Sequence, residues 1–224
     1  MNNISYADDM VLLCPSVKSL RKLIGICERF AGAHDIIYNT KKTECMMFTS
    51  SSIKINVNPS VTLSGDKLRF VERFKYLGHF LSCTLSDDLD IGRQYRGLCA
   101  RANMLRRNFF YCSNDVKTLL FKTYCTCLYT VHLWITYSVQ VMSKFIVCYN
   151  NAFRWLMGYA KFCSASSMFV ENRVPSFGEL RRRLVFKFMQ RLAQSSNDLV
   201  THLLRCDTQW CSPFWRKWYS LLTI

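Results

Sequence analysis

The pattern of apolar residues changes near residue 90, and this change restricts the chain to a fold that contains both strands and helices. Before it, apolar residues fall in short runs bounded by Ser, Gly and Asp clusters, which is typical of strands and turns. After it, they recur every three or four residues along basic segments, which is typical of amphipathic helices. We predict an α+β fold that divides into residues 1–85 and 86–224, with the boundary at 85–92.

The net charge changes at the same place. Residues 1–90 hold 11 basic and 10 acidic residues, a net charge of +1. Residues 91–224 hold 19 basic and 5 acidic residues, a net charge of +14. Such a basic region favours a polyanionic partner such as nucleic acid. A basic, solvated surface without a partner is the alternative.

Membrane and secretory classes do not fit the sequence. The most apolar stretch, 131–149, is interrupted by His, Thr, Ser, Gln and Lys, so we expect no transmembrane helix and no membrane partner. The first residues, Met1-Asn2-Asn3, lack the basic and apolar segments of a signal peptide. We therefore expect an intracellular protein, cytoplasmic or nuclear.

The 12 cysteines do not form a recognisable metal or disulfide framework. There is no C-x-x-C, and the closest pairs are Cys125-x-Cys127 and Cys206-x4-Cys211. In a chain without a secretory signal, such cysteines are interpreted as small buried apolar residues in a reducing compartment. A metal knuckle at His202, Cys206 and Cys211 stays open, although a fourth ligand at finger spacing is missing.

Local signals place the elements. Residues 4–13 predict a tight hairpin, and Ser16 predicts the N-cap of a helix that ends at Gly32. Strands are predicted at 44–48, 53–57, 69–70 and 74–81, with a Ser turn at 50–52. Helices are predicted after Asp90, after Ser113, around 145–156, and after the capping box that begins at Ser176. The aromatic tail from Trp210 favours packing over base stacking.

Two adjacent carboxylates lie at the predicted hairpin tip, in Tyr6-Ala7-Asp8-Asp9. Like charges this close repel each other unless a cation neutralises them. Mg²⁺ prefers such hard oxygen ligands, and two Mg²⁺ ions can clamp the attacking and leaving oxygens of a nucleotidyl transfer. A solvated Asp-Asp turn is the alternative for these residues taken alone.

Three segments in order carry a family resemblance: YADDMVLL at 6–13, NTKKTECMMF at 39–48 and FKYLG at 74–78. Together they resemble the catalytic hairpin, the Lys-bearing motif and the primer grip of non-LTR (LINE-like) retrotransposon reverse transcriptases. Weaker similarity continues at 128–134 and 151–158, so the resemblance covers about residues 1–195. It implies an RNA-directed DNA polymerase that acts on an RNA template and a DNA primer.

The resemblance also implies roles for individual residues. Asp8 and Asp9 would bind Mg²⁺, with Asp8 as the direct ligand. Lys42 would lie near the incoming triphosphate and donate a proton to pyrophosphate, although a solvated lysine is an equal alternative. The primer grip would comprise Phe74, Tyr76, Leu77 and Gly78, with β-core packing as the alternative for Leu77.

The basic helices supply the candidate nucleic-acid contacts. Their arginines would bind phosphates, and neighbouring Trp and Tyr side chains could stack on bases. The predicted residues are Arg93, Arg96, Arg101, Arg107, Arg181, Arg182 and Arg183. The oligomeric state is left open.

The sequence departs from the family pattern at its start. The family places a third carboxylate, a nucleotide-selecting segment and the fingers before the hairpin, whereas only residues 1–5 precede it here. We expect the C-terminal part of a reverse transcriptase, with a partial palm sheet at 1–85 and a helical thumb- and connection-like region at 86–224. We expect no activity from the chain alone, which leaves its status as an enzyme open. The alternative functions are a non-catalytic, nucleic-acid-binding relic and an inert relic.

Overall fold

The structure, a computed structural model, describes residues 3–49, 58–205 and 212–223. Its described residues form short strands followed by a series of helices, so the predicted α+β class is confirmed. The described residues form two compact units. Unit 1 comprises residues 3–74 and 82–84, and unit 2 comprises residues 75–81 and 85–223.

Unit 1 opens with a β-hairpin and a helix, as predicted. Strands β1 (Asn3–Tyr6) and β2 (Asp9–Leu12) pair antiparallel, with Tyr6 opposite Asp9. Helix α1 (Val17–Ala33) begins where the Ser16 hydroxyl accepts a hydrogen bond from the Ser19 backbone N–H at 3.2 Å. The N-cap prediction is confirmed, and the helix runs one residue past Gly32.

The remaining strands of unit 1 are two residues long. Strand β3 (Glu44–Cys45) pairs parallel with β6 (Arg69–Phe70), and β4 (Thr62–Leu63) pairs antiparallel with β5 (Asp66–Lys67). The strand predicted at 44–48 is thus much shorter, whereas the turn at 50–52 and the strand at 53–57 lie outside the described residues. A small apolar cluster joins α1 to these strands through Ile24, Cys45, Val61, Leu63 and Leu68.

The single strand predicted at 74–81 is wrong, because the chain reverses within it. Strand β7 (Arg73–Tyr76) pairs with β8 (His79–Ser82) across a two-residue turn. The turn residues Leu77 and Gly78 have φ angles of 44° and 81°. Two successive left-handed residues match the twist of a tight hairpin, and the aromatic alternation of the sequence conceals this turn.

Unit 2 is helical. Its elements are α2 (Asp88–Phe109), α3 (Asn114–Tyr124), α4 (Val139–Met157), α5 (Ala165–Glu171), α6 (Phe177–Ala193), α7 (Asp198–Arg205) and α8 (Pro213–Leu222), with a 3-10 turn at Val131–Leu133. The hydroxyls of Ser113, Ser138 and Ser176 each accept a hydrogen bond from a first-turn N–H. Two of these caps were predicted. Of the capping box, the structure shows the serine half, since the Glu179 carboxylate accepts from Arg183 instead.

An aromatic core joins α3, α4 and α5. The Phe121 ring centroid lies 4.8 Å from that of Phe153 and 5.4 Å from that of Tyr149. Phe153 in turn stacks on Phe169 at 5.4 Å, and all four rings are buried. Burial of this much apolar and aromatic surface makes the helical unit the better packed of the two.

Helices α2 and α4 run side by side in the same direction. At their starts, the Asp87 carboxylate accepts hydrogen bonds from the backbone N–H groups of Ile135 (2.7 Å) and Thr136 (2.9 Å). The Asp88 carboxylate accepts from the Ser138 N–H at 2.8 Å. These bonds fix the beginning of α2 against the residues that lead into α4.

A bilayer-spanning helix is not found in the part of the chain that the structure describes.

Candidate catalytic hairpin and nucleic-acid interface

The two predicted metal-binding carboxylates lie at an exposed hairpin tip. Ala7 and Asp8 form the two-residue turn, and Asp9 is the first residue of β2. Ala7 has a φ of 52°, a left-handed conformation that costs an alanine about 1–2 kcal/mol. Both carboxylates are solvent-exposed. The strained turn therefore presents two adjacent hard-oxygen groups to solvent.

These carboxylates fit a magnesium site in part. Carboxylate oxygens are the ligands that Mg²⁺ takes, commonly one or two of them together with substrate phosphates. Within residues 3–49, 58–205 and 212–223, no cluster of three or more His, Cys, Asp or Glu side chains could hold a metal. The hairpin thus offers two ligands and no third. His202 lies on α7, whereas Cys206 and Cys211 are outside the described residues, so the question of a metal knuckle stays open.

Lys42 lies in a turn that Asn39 organises. The Lys42 backbone N–H donates to the Asn39 carbonyl at 3.2 Å and to its side-chain oxygen at 3.1 Å. The Thr43 hydroxyl donates to the same Asn39 carbonyl at 2.8 Å. The Lys42 side chain is exposed, which keeps its ammonium group available to an anionic ligand.

The primer-grip-like segment has its turn at Leu77 and Gly78. The Leu77 side chain is 41% exposed, so it lies at the surface of the turn and not in a β core. A Cβ atom at Gly78 would come within 3.0 Å of Cε1 of Tyr129, and its φ of 81° also favours glycine. Phe74 and Tyr76, on β7, are half-buried.

A buried polar cluster that the sequence analysis missed lies beside this turn. Asp90 is fully buried, and its carboxylate accepts hydrogen bonds from the Thr130 hydroxyl (2.5 Å), the Trp134 indole N–H (2.8 Å) and the Arg93 guanidinium (2.7 Å). His79 Nδ1 lies 3.2 Å from Asp90 Oδ2. We call these residues, His79, Asp90, Arg93, Thr130 and Trp134, the Asp90 cluster.

The cluster shifts the pKa values of its two central groups. Burial alone lowers the pKa of His79, but its interactions with the carboxylates of Asp87 and Asp90 outweigh burial and raise that pKa to about 9. Burial alone raises the pKa of Asp90, but the partners of its carboxylate, His79 foremost, hold that pKa well below its usual range. His79 is thus a cation and Asp90 an anion at neutral pH, which is the condition for a stable buried pair.

The Asp90 cluster positions the β7–β8 turn on the helical unit. The Phe80 N–H, two residues after Gly78, donates to Asp90 Oδ1 at 3.3 Å. His79 Nε2 also lies 3.5 Å from Asp87 Oδ1. One signal pointed to this arrangement: Trp134 belongs to the weaker family-like segment at 128–134. The sequence does not show that Asp90, at the boundary between the two predicted regions, accepts a hydrogen bond from Trp134.

The predicted phosphate-binding arginines of α2 have different environments. Arg96 and Arg107 are exposed, as phosphate contacts require. The Arg93 guanidinium donates hydrogen bonds to the Asp90 carboxylate. The Nε and Nη2 atoms of Arg101 are buried and have no hydrogen-bond partner among the described residues.

The three arginines of α6 also differ. Arg181 is buried, and its guanidinium donates to the Trp134 carbonyl (2.7 Å) and the Tyr137 hydroxyl (2.8 Å), so it is occupied inside the fold. Arg182 is half-buried. Arg183 is exposed and pairs with Glu179 at 2.9 Å. Arg183 also borders a cavity of about 510 Å³ with Lys122 and Arg173 on its wall.

Comparisons with known proteins give one distant relative. The chain is 23% identical over 216 residues to the RNA-directed DNA polymerase from mobile element jockey of Drosophila funebris. The alignment covers 89% of this chain and 23% of that protein, so the chain spans about a quarter of its relative's length. No protein-family model matches the chain, and no solved structure does. The chain is thus distantly similar to a protein of the reverse-transcriptase kind.

Proposed function

We propose that this chain is the C-terminal part of a non-LTR retrotransposon reverse transcriptase and carries its catalytic hairpin. The observation that carries the proposal is the adjacent, exposed pair Asp8 and Asp9 at the tip of a strained two-residue turn. The distant similarity to a mobile-element polymerase supports it. In this assignment residues 1–85 contribute to the palm, and residues 86–224 form the thumb- and connection-like region.

The chain's own residues then divide the work. Asp8 and Asp9 would hold Mg²⁺, with Asp8 as the direct ligand, and Lys42 would face the triphosphate and donate a proton to the leaving pyrophosphate. Bound Mg²⁺ would supply charge neutralisation for the transfer. Three of the predicted phosphate-binding arginines are exposed, Arg96, Arg107 and Arg183, and they would bind template and primer phosphates.

The Leu77–Gly78 turn would place its backbone, and not a side chain, next to the primer strand. The absence of a Cβ at Gly78 lets the Tyr129 ring pack closely against this turn. The Asp90 cluster fixes β8 next to this turn, so the turn is held rigidly enough to position a primer strand.

We also propose that the chain alone does not polymerise DNA. The described residues bring two carboxylates together without a third His, Cys, Asp or Glu ligand, whereas two-metal transfer needs a fuller ligand set. In the relative, the matched segment is about a quarter of the protein. The remaining ligands would come from other parts of the whole polymerase.

Metal binding at the hairpin tests the proposal directly. Mn²⁺, a paramagnetic substitute for Mg²⁺, is added to the 224-residue chain while amide NMR signals are recorded. We expect broadening of the signals of residues 6–10, lost in Asp8→Asn and retained in the control Asp35→Asn. Asp35 is the matched control because it is an exposed carboxylate of unit 1 with a left-handed φ of 54°. Equal broadening in wild type and Asp8→Asn contradicts the metal assignment.

Primer extension tests the expected inactivity. The 224-residue chain is incubated with an RNA template, a DNA primer, deoxynucleotides and Mg²⁺. We expect no extension. A metal-dependent product that Asp8→Asn abolishes would confirm the polymerase assignment and contradict inactivity of the chain alone.

The second candidate function is nucleic-acid binding without catalysis. The net charge of +14 in residues 91–224 favours it, because that charge does not depend on the hairpin. It predicts salt-sensitive binding that Asp8→Asn leaves unchanged, together with no metal effect at residues 6–10. The Mn²⁺ experiment therefore separates the two functions.

A further inference from the structure

One flank of the contact between α2 and α4 forms a seam with exposed aromatic and basic side chains. Cys99 Sγ and Cys148 Sγ lie 3.3 Å apart across it, which fixes how the two helices are aligned. Both thiols are half-buried, so the seam is open to solvent at this level. We call it the α2–α4 seam and define it by Tyr95, Cys99 and Arg106 on α2 and Cys148 and Trp155 on α4.

The alignment places an exposed aromatic residue and an exposed basic residue at the same level along the seam. Because α2 and α4 run in the same direction, residues seven positions beyond each cysteine lie about 10 Å further along the seam. Those residues are Arg106 on α2 and Trp155 on α4. Arg106 is exposed, and Trp155 is 50% exposed.

A second aromatic ring lies at the other side of the cysteine pair. Tyr95 is one turn before Cys99 and is 40% exposed. Because Tyr95 and Cys99 are four residues apart on α2, they share one flank of the helix, and the closeness of Cys99 and Cys148 raises the pKa of the Tyr95 hydroxyl. The seam thus presents two exposed rings, separated by roughly three turns of helix, or about 16 Å.

After Asp90, the two helices that form the seam contain no acidic residues. Residues 91–109 contain five arginines, and residues 139–157 contain Lys144 and Arg154, with no Asp or Glu in either segment. Surface helices usually balance their charges with opposite charges three or four positions away. An unbalanced stretch of this kind attracts a polyanion.

We propose that the α2–α4 seam binds single-stranded nucleic acid, with a phosphate on Arg106 and a base stacked on Trp155. The charge complementarity selects nucleic acid, and the exposed rings select a single strand, because a duplex has its base faces already stacked. The inference rests on the proposed function and adds the strand type and the surface that binds it.

The test measures binding of the 224-residue chain to a labelled 20-nucleotide single strand and to the corresponding duplex, by fluorescence anisotropy at several salt concentrations. We expect tighter binding of the single strand. Trp155→Ala should weaken single-strand binding about tenfold, the lower part of the range for losing one stacked base. Arg106→Gln should also weaken it and reduce the slope of log K against log salt by about 0.7.

Matched controls lie outside the seam. Phe186→Ala removes another half-exposed ring, on α6, and Arg205→Gln removes another exposed cation, on α7. Both should bind the single strand within twofold of wild type. Circular dichroism of each variant checks that the helices remain folded, and Trp155→Phe, which keeps an aromatic ring, should retain most of the affinity.

The outcomes distinguish the seam from the proposed function. Single-strand binding that Trp155→Ala and Arg106→Gln leave unchanged contradicts the seam but leaves nucleic-acid binding intact. Equal or tighter binding of the duplex contradicts the strand preference. No binding to either probe contradicts both the seam and the nucleic-acid role of unit 2, whereas the metal test at Asp8 still reports on the hairpin.

Discussion

Unit 1 carries two of the three stronger family-like motifs and has a small apolar core, whereas unit 2 carries the weaker motifs and has a large continuous core. Among the described residues, the apolar cluster of unit 1 has 5 buried members and that of unit 2 has 20. The catalytic-like hairpin is exposed along β1 and at its tip. Chemical signature and packing are thus separated in this chain, because the exposed hairpin tip is accessible to ligands whereas the core excludes solvent.

The same contrast holds for single carboxylates. Asp8 is exposed at a turn, whereas Asp90 is fully buried and accepts hydrogen bonds from three side chains. An exposed carboxylate contributes little to folding and is free for chemistry. A buried one with charged partners contributes to stability only while every partner is present.

Tryptophan fluorescence can measure the two units separately. All five tryptophans, Trp134, Trp155, Trp210, Trp215 and Trp218, lie after residue 130. Fluorescence during urea unfolding therefore reports on unit 2, and amide hydrogen exchange can follow unit 1. The stabilities of the two units can therefore be compared in the same sample.

The largest expected effect separates Asp90 from Asp8. Asp90→Asn leaves His79 and Arg93 without their buried counter-charge, which should lower the free energy of unfolding of unit 2 by about 3–5 kcal/mol. Asp8→Asn should change the free energy of unfolding of unit 1 by less than about 0.5 kcal/mol, since the Asp8 side chain is exposed. Urea unfolding followed by tryptophan fluorescence measures the effect of Asp90→Asn on unit 2, and amide hydrogen exchange measures the effect of Asp8→Asn on unit 1. Comparable losses in the two variants would contradict the contrast.

The next effect is a pH dependence that His79 gives to unit 2. Since its pKa is raised from 6.5 to about 9, its contribution is complete below pH 6.5 and is lost as the pH rises through 9. Between pH 6 and 8, unit 2 should lose about 2 kcal/mol of this contribution. Urea unfolding at each pH, compared between wild type and His79→Gln, isolates it.

His132 acts in the opposite direction and explains why the variant is needed. Burial, followed by the charges of Arg191 and His79, lowers the pKa of His132 to about 4. Its neutral form is favoured in the folded state, so stability is lost as the pH falls below about 6.5. The pH dependence of wild-type stability contains the contributions of both histidines, so wild type alone does not isolate that of His79. Parallel curves for wild type and His79→Gln would contradict the role of His79.

The smallest expected effect concerns the Leu77–Gly78 turn. Gly78→Ala places a Cβ 3.0 Å from Tyr129 at a φ of 81°, which should destabilise unit 2 by about 1–2 kcal/mol. Leu77→Gly relieves a leucine at a φ of 44° and should be neutral or stabilising by up to about 1 kcal/mol. Opposite signs in thermal unfolding confirm the turn, and equal losses in both variants would indicate an extended strand at 74–81.

The candidate site could be predicted from sequence where its geometry is local. The hairpin at 4–13 was predicted because its turn lies within four residues of chain, and the structure confirms it. The metal, primer and phosphate roles stay predictions. Arg181 shows the limit of the sequence: its neighbours Arg182 and Arg183 have the same residue type, but Arg181 alone of the three donates to Trp134, 47 residues away.

The sequence by itself determined the α+β class, the helical periodicity after residue 90 and the caps at Ser16, Ser113 and Ser176, because each depends on neighbours within one helical turn. Tertiary structure decided that 74–81 folds back at Leu77–Gly78, and that Asp90 is a buried anion held by His79 and Trp134. Burial and charge pairing arise from residues distant in the chain, and a local pattern does not contain them.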